Sequence, residues 1–136
     1  MPNPNNNRER PMNTALWIAG GQLAFVALVG GISKTFVPKE KLAAAPGGQW
    51  TRNASTGFVK TLGVLEILAA FGLILPALTG IAPVLVPITA ACWILLMIGA
   101  LITHYRNEGI SRIMLLNIVY LGLAAFIALG RLTVAA

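Results

Sequence analysis

Four apolar runs, each long enough to cross a lipid bilayer, constrain this chain more than any other feature. A helix needs about 20 apolar residues to span roughly 30 Å of hydrocarbon. The first run is TALWIAGGQLAFVALVGGIS, between Arg10 and Lys34. The second extends from about Phe58 to Leu78, the third from about Ala82 to Thr103, and the fourth is IMLLNIVYLGLAAFIALG, between Arg112 and Arg131. The first is also longer than the roughly 7–15-residue core of a signal peptide, so it reads as retained. Charged residues make up 10% of the chain, against about 25% in a soluble domain. The sequence therefore predicts an all-α integral membrane four-helix bundle. A disordered Asn/Pro-rich tail is expected over 1–12 and one transmembrane domain over 13–136, with spans near 14–36, 58–79, 82–104 and 110–131.

The net charge of +6 does not make a nucleic-acid surface, because the basic residues lie between the apolar runs and form no cluster. They report topology instead. With four spans, both termini share a side with the loop between the second and third helices. That side carries Arg8, Arg10 and Arg131; the other carries Lys34, Lys39, Lys41, Arg52, Lys60, Arg106 and Arg112. Seven against three places the loops between spans 1 and 2 and between spans 3 and 4 in the cytoplasm. In LPALTGIAP, Pro76 and Gly80 are expected to break the second helix, and Pro83 to open the third. Trp50 reads as an interfacial anchor in the longer first loop. Cys92 is the only cysteine, which rules out an intrachain disulfide, a CxxC redox pair or a cysteine metal cluster.

From 61 to 105 the only formally charged residue is Glu66. At 1.5 Å per residue it lies about 12 Å inside the second helix. Lys34 ends the first helix at the same side of the membrane, His104 ends the third, and Asn117 lies about 9 Å inside the fourth. Each helix thus brings one polar residue to the same half of the bilayer; Gln22, near the middle of the first, is the exception. Helical spacing gives a second test. Gly20, Ala24, Ala27, Gly31 and Lys34 share a face, as do Gly63, Glu66 and Ala70, and Asn117, Tyr120, Ala124 and Ala128. Small residues mark faces where membrane helices approach closely, so these polar groups are expected to point into the bundle. An intramembrane carboxylate then lowers its cost by pairing, hydrogen bonding or protonation.

Each residue also has a plainer reading. Glu66 and Lys34 also fit a structural ion pair, and Lys34 alone fits a side chain that snorkels to the interface. His104 at a helix end fits an interfacial residue, Asn117 an interhelical hydrogen bond, and Cys92 a small buried apolar residue.

The segments GGISKTFVPKEKL, PGGQW, GFVKTLGVLEILAAFGLILP and ITHYRN…LLNIVYLGLAAFIALGR resemble the DoxX family in its DoxX-like branch. The resemblance covers Asn13 to Arg131 and implies a small four-helix protein of a bacterial cytoplasmic (inner) membrane. Lys34 in GISK, Glu66 in GVLE, His104 in ITH and Asn117 in LLN match recurring polar positions of that family. Its name comes from a subunit associated with thiosulfate:quinone oxidoreduction. The resemblance therefore suggests a redox-associated subunit in which these four residues close a pocket for a quinone-like ligand and relay a proton. No metal site and no flavin or nucleotide motif is present, and no catalytic residue is assigned, so electrons would require a partner protein. Beside this stand a non-catalytic assembly protein, whose small-residue stripes pack against a partner or a second copy, and a small-molecule or proton conduit.

Overall fold

The computed structural model describes residues 6–45 and 48–134. Five helices form: α1 (Asn6–Phe36), the short α2 (Lys39–Ala44), α3 (Thr56–Thr79), α4 (Leu85–Glu108) and α5 (Arg112–Thr133), with a 3-10 turn over Gln49–Asn53. Of these, α1, α3, α4 and α5 are long and apolar enough to cross a membrane. The 22 residues of α5 reach about 33 Å, close to the hydrocarbon thickness. Large apolar side chains cover the outside, Leu95, Leu129 and Ile18 among them. A surface so apolar is incompatible with a monomer in water and suits acyl chains, so the chain is a multi-pass membrane protein.

The spans follow the expected segments, with local differences. Residues 6–12, expected in a disordered tail, belong to α1; residues 1–5 of that tail lie outside the described residues. Pro11 is the sixth residue of α1 and forfeits one backbone donor early in a helix that propagates for many turns beyond it. Pro76 likewise does not break the second span. It lies inside α3, which runs on to Thr79 and stops at Gly80, in the left-handed region with φ 72°. Pro83 lies in the turn ahead of α4, its carbonyl accepting from the Val86 amide. Ser55 and Ser111 cap α3 and α5, their hydroxyls accepting from the amides of Phe58 and Met114.

Around the bundle, α1 packs on α3 and α5, and α4 packs on α5 and α3. The closest crossing joins α1 to α3 at two glycines. A Cβ on Gly31 would stand 2.6 Å from the Gly63 carbonyl oxygen, and one on Gly63 would stand 2.8 Å from both the Gly31 carbonyl oxygen and the Thr35 amide nitrogen. Backbone meets backbone there, the packing that small residues permit between membrane helices. Below this crossing Leu23, Ala27, Leu73, Ala90, Trp93 and Ile127 fill a dry core. At the far end Arg131 ties α5 to α1: its Nη1 donates to Asn13 Oδ1 at 2.7 Å, and its guanidinium lies 5.6 Å from the Trp17 ring centroid. Gln22 faces outward from the middle of α1, and Cys92, expected to be buried, is exposed on α4, where a small apolar thiol suits acyl chains as well as a core.

Candidate functional site

The half of the bundle opposite Arg131 is hollow. A cavity of about 780 Å³ lies between the C-terminal end of α1, the N-terminal half of α3, the C-terminal half of α4 and the start of α5. That volume falls within the roughly 300–1,000 Å³ of small-molecule sites. Lys34, Glu66, His104 and Asn117 all line it. The coincidence in depth seen in the sequence is thus a convergence in space, produced by four helices that run alternately up and down.

The Gly31–Gly63 crossing sets the pair at the centre. Lys34 lies one turn beyond Gly31, and Glu66 one turn beyond Gly63. Lys34 Nζ stands 3.0 Å from both Oε1 and Oε2 of Glu66. The Glu66 carboxylate is almost wholly buried, at 6% exposure. It rests over Gly30, where a Cβ would come within 2.9 Å of Oε2. A buried carboxylate without a partner would be very costly; here a two-point, charge-assisted contact offsets the desolvation.

The other two residues come from the opposite helix pair. His104 is buried at 7% exposure and Asn117 at 9%. The Asn117 carboxamide nitrogen, with two N–H donors, has no hydrogen-bond partner among the described residues. The interhelical bond expected for Asn117 is therefore not what its nitrogen makes. Trp93 Nε1 is also unpartnered, but it sits in the apolar core and does not line the cavity. Donors facing a roomy cavity and donors sealed in packed side chains are physically different cases: only the first can be satisfied by something entering.

The loop between α1 and α3 closes part of the cavity's polar end. Gly48, Trp50, Thr51 and Asn53 line it, and the 3-10 turn packs on α4. Thr51 is 2% exposed, its hydroxyl donating to the Gly48 carbonyl at 2.6 Å. Trp50, expected as an interfacial anchor, faces the cavity. Gly30 and Thr51 join the site without having been expected there. The paired glycines of GGISK and the PGGQW segment were the available signals.

A family model described as the DoxX-like family matches residues 18–127. The match takes in all four cavity residues and the Gly31–Gly63 crossing. The chain belongs to the DoxX-like family. Comparison with curated proteins and with solved structures gives no match. In this DoxX-like protein Lys34, Glu66, His104 and Asn117 line one cavity, with an ion pair on the α1–α3 side and an imidazole and a carboxamide on the α4–α5 side.

Proposed function

We propose that this DoxX-like protein binds a small, flat, apolar ligand with hydrogen-bond-accepting oxygens, a quinone or close analogue, in the cavity at Glu66 and Asn117. One observation carries the reading: Asn117 presents a buried, unpartnered donor to an apolar-walled cavity of ligand size. An acceptor oxygen there would recover a hydrogen bond whose absence costs about 1–3 kcal/mol. Lys34 supports the same chemistry. Its ammonium has three N–H donors, and two point at Glu66, which leaves one for a second ligand oxygen. Glu66 holds that ammonium in place and can accept a proton released from a hydroquinone.

In this reading the chain is a redox-associated subunit. Two-electron oxidation of a hydroquinone releases two protons and two electrons; Glu66 takes up one proton, the other leaves to water at the polar end of the cavity, and both electrons pass to an acceptor on a partner protein. The hollow interior favours this over a purely structural assembly role, because helix register alone requires no cavity and apolar packing would fix it without an unpaired amide. We place the protein in a bacterial inner membrane, with the cavity end on the cytoplasmic side by the charge asymmetry of its loops.

Trp50 lines the cavity and supplies the reporter, since quinones quench indole fluorescence on contact. A decyl-tailed benzoquinone titrated into the protein in nanodiscs should give saturable quenching. The saturable component should disappear in Trp50→Phe, and Asn117→Leu should shift it to at least about tenfold higher ligand, equivalent to about 1.4 kcal/mol. Linear, unsaturable quenching identical in all three proteins would refute the reading.

A further inference from the structure

Part of the cavity wall is exposed on the outside of the bundle. Three of the residues that line it lie on the outer surface of the bundle at the seam between α3 and α4. Phe58 of α3 is 54% exposed and Leu95 of α4 is 71% exposed; Gly99, one turn from Leu95, is exposed with nothing within 4 Å of where a Cβ would stand. All three belong to membrane-spanning segments. The cavity therefore opens sideways, into the region occupied by acyl chains.

The geometry of the two helices explains this opening. Near their connecting turn they touch: a Cβ on Gly72 would lie 2.6 Å from Thr89 Oγ1. Further from the turn, Leu62 and Phe58 of α3 and Leu96 and Ala100 of α4 line the cavity. The seam is thus in contact at its base and flanked by the cavity above. Along α4 the lining runs from Leu95 to Asn107, about 18 Å of helix, close to the thickness of one leaflet. The 3-10 turn bridges the polar end by packing on α4, so the long side of the slot faces lipid. Polar groups mark one end, with Arg106, Asn107 and Asn53 on the rim, while Phe58, Leu95 and Gly99 form the apolar side.

Resting on the ligand reading above, we propose that the ligand carries a long apolar tail and enters from the bilayer through the α3–α4 slot, its head moving toward Asn117 and Lys34 while its tail stays among the acyl chains beside Leu95 and Gly99. The substrate class narrows accordingly to membrane-resident, tailed molecules, in place of small quinones dissolved in water.

Gly99→Phe tests this, because the open space over Gly99 lets a ring occupy the slot without displacing the core. Gly122→Phe is the control: Gly122 is an exposed glycine on α5, with nothing within 4 Å, and does not line the cavity. A tail-less benzoquinone and its decyl-tailed analogue would be titrated against wild type and both variants in nanodiscs, read by Trp50 quenching, with melting temperature confirming the fold. Gly99→Phe should weaken the tailed ligand by about tenfold or more, leave the tail-less ligand nearly unchanged, and differ from Gly122→Phe in that selectivity. Equal loss of both ligands in Gly99→Phe, or loss of neither, would overturn the lateral entrance while leaving the ligand site standing. Failure of wild type to bind either ligand would overturn the site and the entrance together.

Discussion

Lys34 Nζ lies equidistant, at 3.0 Å, from the two carboxylate oxygens of Glu66, joining the end of α1 to the first half of α3 inside the membrane. Both charges depend on this contact, but not equally. Glu66 is enclosed, whereas Lys34 keeps 22% of its side-chain surface exposed and a flexible stem that can carry its ammonium toward the interface.

Removing the lysine should therefore cost more than removing the acid. Lys34→Met strands a buried carboxylate and is expected to destabilise the protein by about 3–5 kcal/mol. Glu66→Gln keeps the shape and frees the ammonium to snorkel, so its loss should be smaller. The double variant Lys34→Met/Glu66→Leu should recover most of the stability lost by Lys34→Met, because two matched apolar side chains replace a desolvated pair. Thermal melts of the three proteins in one detergent check the order.

The Gly31–Gly63 crossing predicts a second ranking. Gly63→Ala drives a methyl group into the Gly31 carbonyl and the Thr35 amide, neither of which can turn aside, and should cost about 1–3 kcal/mol. Gly122→Ala meets nothing within 4 Å and should be neutral or slightly stabilising through helix propensity. Gly30→Ala is the intermediate case. Its methyl would lie 2.9 Å from Glu66 Oε2, so the carboxylate must shift by a few tenths of an ångström. The quinone titration should register that shift more strongly than the melting temperature does.

At the opposite end, Arg131 couples α5 to α1 through Asn13 and Trp17. Arg131→Met removes a charge-assisted hydrogen bond and a cation–π contact and is expected to cost about 1–2 kcal/mol. Since this end is a full bundle length from the cavity, the ligand titration should not change. A large effect on binding would mean that the two ends are coupled through the helices.

The proposed orientation can be read with single cysteines in a Cys92→Ser background. Thr79→Cys lies at the α3–α4 turn and Lys39→Cys on α2. A membrane-impermeant maleimide added to intact cells is expected to modify Thr79→Cys and to spare Lys39→Cys until the membrane is opened. The reverse pattern would invert the side on which the cavity lies, without altering the cavity.

Much of the site was legible in the sequence, because the bilayer does much of the reading. A polar group among apolar residues is costly, so its depth and face carry information; Lys34, Glu66, His104 and Asn117 all lie at one level, and Lys34, Glu66 and Asn117 lie on faces shared with small residues. The same reasoning placed Gly31 and Gly63 at packing faces. The cavity was not legible: emptiness depends on how four helices are placed relative to one another, and no single residue type encodes that placement. Trp50 reads as an interfacial anchor because aromatic side chains near helix ends usually are; that it also lines the cavity follows from the path of a loop with little periodic signal. Pro76 was expected to end α3, yet α3 runs on past it to Thr79, since losing one backbone bond does not stop a helix packed along its length.

The most direct test of the central claim is native mass spectrometry of the protein ejected from its own membranes, beside the Asn117→Leu variant. One tailed, quinone-like molecule bound per wild-type chain, and none or little on the variant, is the predicted result. Wild-type protein that leaves the membrane empty, or with the same adducts as Asn117→Leu, would contradict it.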